Sequence, residues 1–243
     1  MKKLICAALF GLISTQVVAK QVIKFEMEAT YAPFEYVNKN NEIKGFDVDL
    51  ANALCQELNA QCSFHNVPFD SLIPALKFHR YDAAISAIDI TEARSKQVSF
   101  TQPYYENAAA FVTLSDNLKS QQSLKDKRVG VQNGTTHQRY LLEQMPGVTA
   151  VPYASYLDAF NDLKTGRIDA IFSDTAILAD WVKKDSKLHY IGKPVTNPSY
   201  FGNGFGIAVN KSNTKLLAQL NQALSTIKEN GQYQIIYNKY FGS

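Results

Sequence analysis

Residues that carry covalent, metal or redox chemistry are scarce in this chain. Its 243 residues include three cysteines, four histidines and one tryptophan. Cys6 lies in an N-terminal apolar stretch, which leaves Cys55 and Cys62 as the remaining pair. A zinc site there would need two more ligands, and only His65 is near. The histidines stand at 65, 79, 137 and 189, and the pattern brings no Ser/His/Asp or Cys/His set together. No catalytic residue, metal or cofactor is therefore expected. Gly202-Asn203-Gly204-Phe205-Gly206 is rich in glycine but lacks the G-x-G-x-x-G spacing and a following helix, which excludes a nucleotide loop. Charge of one sign is lacking too. With Lys2 and Lys3 set aside, the 25 basic residues become 23 against 22 acidic ones. That balance gives no basis for binding nucleic acid or an anionic membrane. After the first nineteen residues no apolar run approaches membrane-spanning length.

The N-terminus itself is ordered by type. Met1-Lys2-Lys3 is basic, Leu4 to Ile13 is apolar, and small residues lead to Val17-Val18-Ala19. This is the pattern of a signal peptide cleaved after Ala19, so residues 1–19 are expected to be removed and the remaining chain exported. In an exported protein an isolated cysteine pair is more often a disulfide than two free thiols. By loop entropy so short a closure would add about 2–3 kcal/mol.

An internal echo organises the middle of the chain. Leu76-Lys77-Phe78-His79-Arg80-Tyr81-Asp82-Ala83-Ala84-Ile85-Ser86 and Leu163-Lys164-Thr165-Gly166-Arg167-Ile168-Asp169-Ala170-Ile171-Phe172-Ser173 share L-K-x-x-R-x-D-A-x-x-S. Each copy reads as a helix end, a turn and a short buried strand. Val22 to Met27 and Arg128 to Gln132 read as further strands. Strands alternating with helices imply βαβ units and mostly parallel sheets. Two α/β lobes follow, and ligands of such sheets sit beyond the carboxyl ends of the strands.

Those ends carry the polar candidates. The first echo ends on Ser86, Ala87 and Asp89, the second on Ser173 and Asp174. Arg94 presents a planar fork suited to a carboxylate; a surface helix residue paired with Glu92 or Asp89 is its bland alternative. Gly134-Thr135-Thr136-His137 begins a helical stretch and offers free N–H groups to an anion, or simply an N-cap at Thr135. Asp89 and Asp174 suit an ammonium, or cap the helices after them. Tyr31 and Phe69, in proline-marked loops, are placed to clamp a flat cation or else to pack. Glu26 and Glu28 share one strand face, with Glu28 nearer the cleft. An anion site beside a cation site describes the α-carboxylate and α-amino groups of an amino acid.

Gly45-Phe46-Asp47-Val48-Asp49-Leu50, continued by Leu54-Cys55 and Leu58, resembles the signature of the family 3 extracellular solute-binding proteins. The resemblance runs on through Tyr31-Ala32-Pro33-Phe34, Phe69-Asp70-Ser71-Leu72-Ile73-Pro74, Ile90-Thr91 to Arg94, Asn133 to Thr136, Asp174 and Tyr200-Phe201-Gly202. It covers essentially the whole mature chain and is strongest toward arginine and lysine/arginine/ornithine binders. It implies the periplasmic-binding-protein fold: two α/β lobes joined by two hinge strands, with the ligand cleft between them. Lobe 1 is expected over 20–107 and 203–243, and lobe 2 over 108–202. The crossovers are expected near Tyr105–Ala109 and at about 195–202.

It also implies a Cys55–Cys62 disulfide, Arg94 on the ligand carboxylate assisted at Thr136, and Asp89 and Asp174 on the α-amino group. Tyr31 and Phe69 would clamp the side chain, with Glu28 where related binders often have Asp and Ala87 where Ser or Gly is common. Glu28, Tyr31, Phe69, Ser86, Ala87, Asp89, Arg94, Thr136, His137 and Asp174 form the expected ligand set. The Asp47-x-Asp49 signature is read as helix entry and packing. The implied protein is a monomeric periplasmic component of an ABC importer, working with an inner-membrane permease and binding L-arginine. Lysine, ornithine, histidine or glutamine are alternative ligands. A periplasmic enzyme on the same fold, such as a dehydratase, is the second reading.

Overall fold

A computed structural model of the protein describes residues 20–242, so the expected signal peptide lies outside the described residues. Strand Val22–Met27 buries Ile23, Phe25 and Met27 by its period of two. It runs parallel to Gln61–Asn66 and to Ala83–Ala84, and helices Phe46–Glu57 and Leu72–Lys77 make the connections. The first sheet has the order 61–66, 22–27, 83–84, 208–209, 99–100. The second has the order 149–153, 128–132, 170–174, 109–113, 189–195. The two echoed segments occupy equivalent places: each feeds the third strand, Ala83–Ala84 in one sheet and Ala170–Asp174 in the other.

Each sheet departs from the parallel expectation at one position. Ala208–Val209 and Ala109–Thr113, the fourth strand of each sheet, run antiparallel to both neighbours. Both are entered directly after the chain has passed from the other lobe. A strand that starts at the cleft must run away from it, whereas the βαβ strands run toward it. A small antiparallel sheet of Thr30–Tyr31, Glu35–Val37 and Ile43–Lys44 adds to the first lobe; the sequence pattern did not indicate it.

Helix Phe46–Glu57 ends at the Cys55–Cys62 disulfide, which ties it to strand Gln61–Asn66. The C-terminal helices Thr214–Glu229 and Gln232–Phe241 close the first lobe, with the Phe46 and Phe241 ring centroids 5.1 Å apart. Tyr200 and Phe201 still pack in the cluster of the second sheet, with Phe111 and Phe172. Phe205 packs instead with Phe34 and Tyr105 of the first lobe. Its N–H donates to Tyr105 O and Tyr104 N–H donates to Phe205 O, each at 2.8 Å, joining the two crossing segments. Gly204 has φ +71°, and a Cβ would fall 2.5 Å from Tyr105 O, so only glycine fits. No helix among the described residues is long and apolar enough to cross a membrane.

Candidate functional site

Thr91 caps the short helix Glu92–Ser95, its hydroxyl accepting from Arg94 N–H at 3.3 Å. The cap turns the two acids of this segment in opposite directions. Glu92 is exposed and pairs with Lys96 at 2.8 Å. Asp89 and Arg94 are buried, 4 % and 7 % exposed. The surface reading of Arg94 is thereby overturned: its guanidinium is held inward by the Asp89 carbonyl at 3.0 Å and the Gly134 carbonyl at 3.2 Å. It lies over the Phe69 ring, 5.5 Å from the centroid.

Tyr31, Phe69, Ala87, Asp89, Arg94, His137 and Asp174 line one narrow cavity between the lobes, together with Gln132 and Thr135. Seven of the ten expected residues are thus brought together. Three sit just behind the lining. The Ser86 hydroxyl donates to Glu35 Oε1 at 2.8 Å and accepts from Glu28 N–H at 3.0 Å. Thr136 donates to Asp89 Oδ2 at 2.6 Å. Glu28 accepts from the Thr30 hydroxyl at 2.5 Å, while its Oε2 is buried without a partner. Thr135 is the N-cap of helix Thr136–Gln144, accepting from Gln138 N–H at 3.2 Å.

The polar groups meet across the lobes. Tyr31 donates to Asp174 Oδ2 and lies 3.1 Å from the Ser173 hydroxyl. Asn107, on the first crossover, donates to Asp89 Oδ1 at 2.8 Å and to Asp174 Oδ1 at 2.6 Å. It was not singled out by sequence, although a polar side chain within an expected hinge strand is the signal that marks it. Gln132, the last residue of a strand, gave no signal of its own, whereas Thr135 is both the expected N-cap and part of the lining. His137 is enclosed by Phe172 and Phe201, with centroids 5.1 and 5.0 Å away. Its Nε2 lies 3.1 Å from Asp174 Oδ1, but neither ring nitrogen has an aligned hydrogen-bond partner.

Burial and the neighbouring Asp174 carboxylate push Asp89 up to about 6, against the pull of Arg94 at 3.9 Å. Burial also raises Glu28, opposed by its hydrogen bond from Thr30. Arg94 is lowered by burial and by Arg139, and raised by Asp89; a guanidinium stays charged regardless. One fixed cation therefore faces two carboxylates linked through Asn107. Such a set suits a ligand with one anionic and more than one cationic group. A larger groove lies between Pro33, Tyr105 and Phe241 on one side and Thr175 to Lys183 on the other. Its lining mixes aromatic rings with small residues and the charged Asp180 and Lys183, and it contains none of Arg94, Asp89 and Asp174, so size does not mark the site. Among the described residues no group of three or more His, Cys, Asp or Glu is placed to hold a metal ion.

The profile of the bacterial extracellular solute-binding proteins, family 3, matches residues 23–243. The chain is 52 % identical over 241 residues to the ABC transporter arginine-binding protein 1 of Escherichia coli K12, covering 99 % of both chains. It superposes on a Salmonella typhimurium periplasmic binding protein described as having high arginine specificity, with a TM-score of 0.88 and 45 % identity. That match covers 91 % of this chain and 99 % of the other. It also resembles an ancestral amino-acid-binding protein described as a precursor of cyclohexadienyl dehydratase. There the TM-score is 0.82 and the identity 30 %, over 90 % of this chain and 95 % of that one.

Proposed function

The chain belongs to the bacterial extracellular solute-binding proteins, family 3, and from that membership we propose that it is the periplasmic arginine-binding component of an ABC importer. The observation that carries this reading is the division of charge across the cleft, with Arg94 facing the linked carboxylates Asp89 and Asp174. Arg94 takes the α-carboxylate, where a forked cation gives two parallel bonds. Asp89 and Asp174 take the α-ammonium, displacing the contacts they make with Thr136, Asn107 and Tyr31. Tyr31 and Phe69 flank the side chain, and Glu28 with Gln132 stands behind them to receive a guanidinium. Ala87 and Ser86 form the floor, and the unpartnered His137 ring is free to meet the ligand. The lobes are 20–107 with 203–243, and 108–202, and the chain acts as a monomer with its permease.

Binding rather than catalysis is the reading favoured here. The relative matched over full length is named as a binding protein, and a cleft of fixed charges needs no activated nucleophile. Mass spectrometry of the small molecule released from protein purified from periplasm tests both parts. Unaltered arginine is expected. A dehydrated or otherwise converted product, or no amino acid even after growth on arginine, would contradict the proposal.

A further inference from the structure

The signature Gly45-Phe46-Asp47-Val48-Asp49-Leu50 is the one motif the ligand roles leave unused, and its two acids face different ways. Asp49 accepts from Lys239 Nζ at 2.6 Å and from the Tyr240 hydroxyl at 2.7 Å, fastening the C-terminal helix. Packing accounts for that half of the motif. Asp47 is fully buried and turns toward the cleft floor. Its Oδ2 accepts from Ala87 N–H at 3.0 Å and from the Tyr104 hydroxyl at 2.8 Å. The neighbouring Glu35 carboxyl is equally buried, and burial together with the Asp47 charge raises it well above the ordinary carboxylate range. Glu35 Oε2 and Asp47 Oδ1 are both buried with no hydrogen-bond partner. Carboxylates only accept, so a bond between the two needs a proton on one of them. The remaining ionisable groups facing the pair, Glu28, Tyr104 and Tyr233, are themselves acidic.

Glu28 N–H donates to Ser86 and Ser86 to Glu35, while Ala87 N–H donates to the neighbouring Asp47. The two acids thus hold Ser86–Ala87 from both residues, where the echoed strand gives way to the ligand loop. Ala87 has φ +44°, a left-handed conformation disfavoured for a residue with a Cβ, so something must hold it there. Gly45 makes the arrangement sterically possible. A Cβ at Gly45 would fall 2.1 Å from Phe34 O, so glycine alone lets the helix start lie against the strand that carries Glu35.

We propose that Glu35 and Asp47 are positioning residues that share one proton and hold Ser86–Ala87, and hence Asp89, in the geometry that receives the ligand. This rests on the reading of the cleft as an arginine site. The test is calorimetric titration with arginine of wild type, Glu35→Gln and Glu35→Ala, each well below its melting temperature. Glu35→Gln keeps both links, its amide donating to ionised Asp47 and accepting from Ser86, and should bind within threefold of wild type. Glu35→Ala leaves Asp47 without that donor and Ser86 without its acceptor. It should raise Kd at least tenfold while circular dichroism shows it folded. If Glu35→Ala does not fold, Glu35→Asp, one methylene short of Asp47, carries the same tenfold expectation. In the infrared spectrum Glu35→Gln should remove intensity from the protonated-carboxyl stretch at neutral pH. A variant with a lower melting temperature but Kd within threefold would show a purely structural role and overturn the proposal. So would a Glu35→Gln as weak as Glu35→Ala, or one with an unchanged carboxyl stretch. A wild type that binds no amino acid would remove the functional reading and this proposal with it, whereas normal wild-type binding with unaffected variants removes this proposal alone.

Discussion

Three buried charged side chains give separate predictions. Arg94 is buried and held inward by two backbone carbonyls, so its alignment costs little on binding. Truncating a charged partner in a desolvated pair typically costs about 2–5 kcal/mol, and Arg94→Ala should lose that much affinity for every amino acid tested by calorimetry. Arg94→Lys should also be impaired, because an ammonium lacks the fork. Asp89 sets the pH response. Its folded value of about 6 lies above the ordinary 3.8, so the unliganded protein favours the neutral form and gains stability from this group as pH falls toward 3.8. Binding an ammonium needs the ionised form, so affinity should move the other way. Titrations should show arginine binding about tenfold weaker at pH 5 than at pH 7. Glu26 is fully buried, and both its carboxyl oxygens are without partners. Burial pushes it from 4.5 to about 8, so it is held neutral at the expense of stability that falls as pH rises through that window. Glu26→Gln should therefore stabilise by about 1–3 kcal/mol more at pH 8 than at pH 4.5 in urea melts.

Among the elements, the Cys55–Cys62 closure joins residues seven apart in sequence. Cys55→Ser/Cys62→Ser should lower unfolding free energy by about 2–3 kcal/mol through loop entropy, leaving arginine affinity at 25 °C within threefold because the disulfide lies outside the cleft lining. The βαβ pattern was legible because helical and strand periods differ and the echo repeats both. Ala83–Ala84 and Ala170–Asp174 could be placed at the cleft from their polar ends alone. What escaped was short or antiparallel. The two-residue strands Thr30–Tyr31 and Ile43–Lys44 are too brief to show a period. Ala208–Val209 derives its position from Ala83–Ala84 and Ser99–Phe100, more than a hundred residues away. Asn107 and Gln132 were missed because their importance comes from where the crossover and the second sheet put them. Glu28 was expected at the cleft but stands behind its lining, since strand period gives a face and not a depth.

At the scale of the molecule, polar groups of the cleft from one lobe are satisfied by the other: Tyr31 by Asp174, Asp89 by Thr136, Arg94 by Gly134. A ligand that replaces these contacts touches both lobes and so favours their closure by its differential affinity. The charge inventory then decides which ligand. On the proposed assignment arginine brings one carboxylate for Arg94, an α-ammonium for Asp89 and Asp174, and a planar guanidinium for the aromatic faces and Glu28. Glutamine supplies no distal charge, so Glu28 would stay buried and unpaired or take up a proton. The most direct measurement is a calorimetric titration of the wild-type protein, stripped of ligand by unfolding and refolding, with arginine, lysine and glutamine. The account predicts saturable one-to-one binding that is tightest for arginine, weaker for lysine and weakest for glutamine; no heat with arginine, or glutamine bound more tightly than arginine, would contradict it.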